Sequence, residues 1–208
     1  MSNLRLILVD RNKDCCELLR WQFRDHSNVE VVCGRFEDLH SFHCVVTAGN
    51  SFGLMDAGMD LAVVKYFGQH VMERIQQQIL EDHLGEQPVG TCLIVPTDHP
   101  AHPFVAHAPT MRGPMNIQGT DHVYLAMWVA LTAVHRHNRT AERKITTLAC
   151  PSLGTGTGGM DLLEAALQMS LAYEHFVNPP MFINPTLAQQ RQERVYYGGR
   201  WGFINPRK

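Results

Sequence analysis

The sequence predicts an α/β layered domain on a mainly parallel sheet. Short apolar runs of strand length alternate with longer stretches of helical spacing, and two of those runs end in loops of small residues. A hydrophobic content of 45% over 208 residues is enough for one substantial core. Parallel neighbours need crossover connections, which the helical stretches supply.

Leu4 to Val9 reads as a strand ending at Asp10-Arg11-Asn12, and Lys13 to about Arg24 as a helix with Leu18, Leu19, Trp21 and Phe23 near helical spacing. Val29 to Cys33 is a second strand closed by Gly34, and Phe42 to Thr47 a third, with the turn Arg35-Phe36-Glu37-Asp38-Leu39 between them. Asp60 to Phe67 and Gln69 to His83 read as helices broken near Gly68, the second with Val71, Met72, Ile75, Ile79 and Leu80 on its core face. Strands at Gly90 to Val95 and Pro103 to Ala108 flank a Pro/His-rich turn. A helix at Val123 to His135, a strand at Ile145 to Cys150 and a helix at Leu162 to Phe176 complete the pattern. From Asn178 the character changes to prolines, a polar 189–194 run and the aromatic Tyr196-Tyr197-Gly198-Gly199-Arg200-Trp201. Residues 1–177 therefore read as the domain and 178–208 as a tail, whose aromatics argue against simple disorder.

A formal charge of −2 and a pI near 6.6 create no field that would draw a long polyanion, so nucleic acid is not an expected partner. Any phosphate is expected on backbone amides. The six cysteines lie mostly in apolar runs without regular spacing and read as reduced, buried thiols. The apolar run at residues 4–9 is too short to span a bilayer, so a soluble, cytoplasmic protein without membrane partners is expected.

The chemistry concentrates where two strands end. The third strand runs through Val45-Val46-Thr47-Ala48-Gly49 into a small-residue turn holding Asn50, Asp56 and Asp60. Small residues admit a ligand close to the backbone, the asparagine both donates and accepts, and the aspartates can serve as base or hydroxyl clamp. About a hundred residues later, Leu153-Gly154-Thr155-Gly156-Thr157-Gly158-Gly159 follows another strand and leads into a helix, a loop suited to phosphate. The blander readings are Asp60 as a helix N-cap, Asp56 as a turn former and the second loop as an ordinary strand-to-helix turn.

With both loops in view, the chain resembles the macrodomains, modules that bind ADP-ribose and in many members hydrolyse ADP-ribosyl linkages. In hydrolytic members an Asn-Ala-Ala-Asn strand end precedes a glycine-rich loop ending Gly-Val-Asp; here Thr47-Ala48-Gly49-Asn50 and Gly58-Met59-Asp60 keep the same ten-position interval. Pro151 to Gly159 resembles the family's second loop. Gly158 replaces its aromatic, and Phe52-Gly53-Leu54-Met55-Asp56-Ala57-Gly58 replaces consecutive glycines. The pattern Ser-Phe-Gly-x-Met-Asp-x-Gly-x-Asp is similar to a branch that removes ADP-ribose from protein side chains, arginine included.

The resemblance implies a three-layer α-β-α fold with a mixed, mainly parallel sheet. It also implies hydrolysis of mono-ADP-ribosyl bonds with Asp60, Asp56 and Asn50 at the distal ribose. Ligand contacts would come from Phe36, Glu37, Asn50, Ser51, Phe52, Gly58 and Met59 on one side and Leu153, Gly154, Thr155, Gly156, Thr157, Gly158 and Gly159 on the other. Glu37 is the first choice for the adenine amine, ahead of Asp38, with Asp10 a rival. The helix beginning near Asp161 would aim its amino end at the diphosphate. ADP-ribose or an ADP-ribosylated protein is the expected partner. The alternatives are a non-catalytic reader, a hydrolase of O-acetylated or phosphorylated ADP-ribose, and a generic nucleotide-binding protein. No cofactor is expected: the histidines, His99, His102 and His107 included, lack metal-ligand spacing, and Asp56 with Asp60 offers a divalent cation two carboxylates but no cage.

Overall fold

In the computed structural model, residues 4–195 are described; the aromatic run from Tyr196 lies outside the described residues. The first half places strands β1 (Arg5–Asp10), β2 (Val29–Cys33) and β3 (Cys44–Thr47) with helices α1 (Lys13–Gln22), α2 (Gly58–Phe67) and α3 (Gln69–His83). The second half adds β4 (Leu93–Pro96), β5 (Phe104–His107), β6 (Thr147–Pro151), α4 (His122–Thr140), α5 (Leu162–Val177) and α6 (Pro185–Arg194). The strands form one sheet in the order β2-β1-β6-β3-β5-β4, parallel except for β4, which runs antiparallel to β5.

Side-chain alternation along each strand fills two cores. Leu6, Leu8, Cys44, Val46, Ala106, Leu148 and Cys150 face the layer of α1, α4 and α5. Val9, Val45, Leu93, Val95, Val105 and Ala149 face α2 and α3. This is the expected three-layer α-β-α arrangement with a mixed, mainly parallel sheet. Five of the six cysteines lie within or against these layers; Cys33 is the correction, exposed where β2 ends.

The element ends follow local chemistry. The Asn12 side chain accepts from the amides of Asp14 and Cys15 and so caps α1. Gly68, at φ 107, separates α2 from α3, and a Cβ there would meet the His70 Nδ1 at 2.8 Å. Strand β4 starts three residues later than expected, because Thr91 turns back to donate twice to the Pro88 carbonyl. Helix α4 runs five residues beyond His135 to Thr140, ending where Asn138 holds both the amide and the carbonyl of Ile145. Sequence periodicity also missed α6, which begins with Pro185 after the Asn184 cap. Arg194 binds Glu174 of α5 through two hydrogen bonds, and Arg191 lies over the Trp128 ring of α4, so this part of the tail packs on the outer helices.

Helix α3 closes through Leu84 in the left-handed conformation at φ 54. Its side chain is 94% exposed, so the strained backbone is offset by no burial. Leu84→Gly is expected to stabilise the chain by about 0.5–1 kcal/mol in urea unfolding, whereas a loss of stability would show that the side chain matters.

Candidate functional site

The parallel strands β1, β6, β3 and β5 all deliver their carboxyl ends to one edge of the sheet, where ligands of open α/β sheets bind. Beyond β3 the chain passes through Gly49 to Asn50, whose isolated bridge to Met111 prolongs the pairing with the chain beyond β5. Asn50 then folds its own loop: its Oδ1 accepts from the amides of Phe52 and Leu54 at 3.0 and 3.3 Å, and its Nδ2 donates to the Leu54 carbonyl at 3.0 Å. The side chain expected on a ribose hydroxyl is therefore already positioning the loop.

The loop returns as α2, and Asp60 in its first turn tucks under the end of β3. The absence of a side chain at Gly49 permits this, since a Cβ there would lie 2.3 Å from Asp60 Oδ2 and 3.0 Å from His107 Nε2. Asp60 is 7% exposed yet still lines a cavity of about 160 Å³ with Asn50, Asp56, Gly58 and Met59. Burial and then the charge of Asp56 raise its pKa to about 7. The Thr47 hydroxyl beside it, without a fully formed hydrogen bond, pulls the other way. Asp56 is exposed. Two carboxylates thus sit at one end of the cavity in unlike environments, an arrangement that separates acid and base roles.

The opposite wall is the 153–159 loop, with Gly154, Gly156, Thr157 and Gly158 on the cavity. Among the described residues, the amides of Thr155 to Gly158 donate to no protein acceptor, leaving a cradle for an anion. Helix α5 contributes less than expected. Asp161 caps it, accepting from the amides of Leu163 and Glu164, so those donors are occupied. The open helix start is that of α2, where Ala57 offers no side-chain cap and Gly58 and Met59 line the cavity. Gly158 has no space for the aromatic expected by resemblance: a Cβ would meet the Gly154 carbonyl oxygen at 2.6 Å and Ile117 at 2.9 Å. Ile117 plugs that position and its amide donates to the Gly158 carbonyl at 2.8 Å.

A second cavity, of about 460 Å³, shares Gly58, Met59, Pro151, Ser152 and Gly156 with the first and continues to Asp10, Arg11, Arg35, Phe36 and Glu37. Glu37 carries an ion pair with Arg35 at 2.7 Å. Burial works to raise its carboxyl, but Arg35 outweighs this and leaves it lowered. Asp10 accepts from the Asn12 amide at 2.8 Å and from the Ser152 hydroxyl, which links the ends of β1 and β6.

The structure thus brings together Asn50, Asp56, Gly58, Met59, Asp60, Gly154, Gly156, Thr157 and Gly158, and at the far end Phe36, Glu37 and Thr155. Ser51, Phe52, Asp38, Leu153 and Gly159 line neither cavity. The Ser51 hydroxyl turns to the Met111 carbonyl, Phe52 points outward at 38% exposure, and Leu153 is fully buried. Sequence reasoning passed over Ser152, Thr110, Met111, Pro114, Arg11 and Arg35, because nothing local marks a residue that reaches the cleft through strand order. The histidines near residue 100 have structural partners: His102 Nδ1 bonds the Phe42 carbonyl, and His99 Nδ1 accepts from the amides of Ala101 and His102. Among the described residues no group of three or more His, Cys, Asp or Glu could hold a metal ion, and no helix is long and apolar enough to cross a membrane. Burial pushes the thiols of Cys44 and Cys150 upward, which disfavours a nucleophilic thiolate.

Asp60 gives stability a pH dependence of definite sign. Its folded value of about 7 exceeds the unfolded 3.8, so the native state holds the proton longer and stability falls as pH rises between those values. Asp60→Asn is expected to gain roughly 4 kcal/mol relative to wild type between pH 4 and pH 8, at about 1.4 kcal/mol per pKa unit. Urea unfolding of both proteins at the two pH values measures it, and a difference independent of pH contradicts it.

Residues 46–169 match the Macro domain family. An uncharacterized protein of Aeropyrum pernix is 27% identical over 128 residues, covering 62% of this chain; the chain spans 61% of that relative's length. The macrodomain of Mycobacterium tuberculosis DarG superposes with a TM-score of 0.57 at 17% identity, over 68% of this chain and 87% of that one. A mutant Oceanobacillus iheyensis macrodomain with ADPR gives 0.59 at 20% identity, over 78% and 88%. A Trypanosoma brucei macrodomain in complex with ADP-ribose gives 0.51 at 17% identity, over 66% and 52%. At these identities the structural likeness is one of fold; the family match, which takes in more than half of the sequence, shows that this chain belongs to the Macro domain family.

Proposed function

We propose that the cleft binds ADP-ribose and that the chain hydrolyses mono-ADP-ribosyl bonds on protein side chains, arginine-linked ones included. Two structures similar in fold are described with ADPR or ADP-ribose. The two contiguous cavities suit an elongated ligand of that kind. Adenine would lie toward Phe36, Glu37 and Asp10, the diphosphate on the open amides of the 153–159 loop and the start of α2, and the distal ribose by Asn50, Asp56 and Asp60.

One observation carries the hydrolytic half: a buried carboxyl with a pKa of about 7 lies beside an exposed one at the cleft end farther from Glu37. In its ionised form Asp60 accepts a proton from water as the oxygen bonds the anomeric carbon. The bond to the side-chain nitrogen breaks, and that nitrogen regains a proton. Asp56 orients the water or a ribose hydroxyl. A protein that only binds the ligand has no use for a carboxyl poised near neutrality.

The test is release of ADP-ribose from arginine-linked and acidic-residue-linked protein conjugates, and from O-acetylated or phosphorylated ADP-ribose. Alanine at Asp60 or Asp56 is expected to lower kcat by ~10²- to 10⁴-fold while the Kd for ADP-ribose changes less than about tenfold. Activity should rise with pH to half its plateau near pH 7, as Asp60 ionises. Binding without release from any protein conjugate would leave a reader, and release from the small derivatives alone would move the substrate class.

A further inference from the structure

Cys16 and Cys33 meet at one corner of the domain, where the end of β2 faces the first turn of α1 beside Asp10. Strand β2 lies at the edge of the sheet, and Cys33 is its last residue, in register with Asp10 of β1. Side chains alternate along β2: Val29 and Val31 pack on the core shared with α1, and Val32 packs on the opposite one. Cys33 therefore faces α1. Cys16, on the buried face of that helix, places its Sγ 3.3 Å from the Asp10 carbonyl oxygen and 3.9 Å from that of Val32, the residue before Cys33. Of the side chains around the Cys16 thiol, that of Cys33 acts on it most strongly, through a side-chain hydrogen bond. The two differ in access, Cys33 being exposed and Cys16 fully buried.

We infer that Cys16 and Cys33 are an oxidisable pair, which closes to a disulfide with a peroxide as oxidant and so ties the end of β2 to α1. The exposed Cys33 thiolate attacks one peroxide oxygen, the O–O bond breaks, and Cys33 becomes a sulfenic acid as hydroxide leaves. The Cys16 sulfur then bonds the Cys33 sulfur, the S–O bond breaks, and the departing hydroxide carries off the Cys16 proton as water. Two thiols and one hydrogen peroxide thus give one disulfide and two waters. Environment sets the order of attack. Burial first, and then Cys33 itself, hold the Cys16 thiol up at about 12, so it keeps its proton until a leaving group stands beside it. Cys15, its neighbour in sequence, is engaged by the Ser152 side chain instead. The consequence falls on the larger cavity. Cys33 leads directly into Gly34, Arg35, Phe36 and Glu37, which line that cavity with Asp10, and the Gly34 amide donates to the Asp10 carbonyl at 2.8 Å. The disulfide fixes this wall whatever ligand the cavity takes.

The full chain is treated with hydrogen peroxide, digested without reductant and mapped by mass spectrometry. A cross-link between the peptides holding Cys16 and Cys33 is expected, reversed by dithiothreitol, kept in Cys15→Ser and lost in Cys16→Ser. In Cys16→Ser the Cys33 sulfenic acid has no resolving thiol and is expected to take up dimedone about tenfold more than in wild type. Amide exchange followed by NMR reads the effect on the wall: the Cys33 and Gly34 amides should exchange roughly tenfold more slowly in oxidised than in reduced wild type. Peroxide should leave their exchange unchanged in Cys33→Ser. A cross-link that survives in Cys16→Ser, Cys33 joined to a second chain, or equal dimedone uptake in wild type and Cys16→Ser overturns the pairing. Unchanged exchange in the cross-linked protein overturns the fixing of the wall.

Discussion

The site depends on one close approach, the passage of the Asp60 carboxyl over the α-carbon of Gly49. Any side chain at that position would drive the carboxyl out of its niche, and with it the first turn of α2 that Gly58 and Met59 present to the cleft. The approach links three elements that are remote in sequence, the end of β3, the start of α2 and the end of β5. It also produces the unusual electrostatics. A carboxyl packed this tightly loses water on most sides, and Asp56 discourages its ionisation further. Burial here raises the carboxyl's pKa toward neutrality at some cost to stability.

Much of the fold was legible because parallel strands covered on both faces leave continuous apolar runs. Val45-Val46 and Leu6 to Val9 could hardly be anything else. The break at Gly68 was legible for a similar reason, since one residue supplied a signal with a single steric meaning. Helix α6 was hidden because its ten residues contain no apolar stripe, and its anchoring comes from Arg194 and Arg191 reaching other helices. Boundaries shifted where side chains answered to distant partners, as Asn138 does to Ile145.

The site was legible as two loops but not as an inventory of contacts. The Asn50 to Asp60 interval and the 153–159 loop marked two segments that the structure places on one cavity, while Asn50 is taken up by loop construction and Ser51 turns away to the Met111 carbonyl. Asp161 could be read as a cap from sequence, yet its consequence, that α2 and not α5 opens its first-turn amides to the cleft, required both helices in place. His107 looked like one scattered histidine among twelve. Only the pairing of β5 with β3 brings it beneath Gly49.

The plug formed by Ile117 has a mechanical meaning. The segment from Thr110 to Gln118 lines one wall of the cleft with Thr110, Met111 and Pro114, then grips the other wall through Ile117 against Gly158 and the Gln118 side-chain Nε2 donating to the Gly159 carbonyl. One short segment thus touches both sides of the cleft, so the spacing of two loops remote in sequence is set by a third, and the exposed Asp56 stands where that cleft meets solvent.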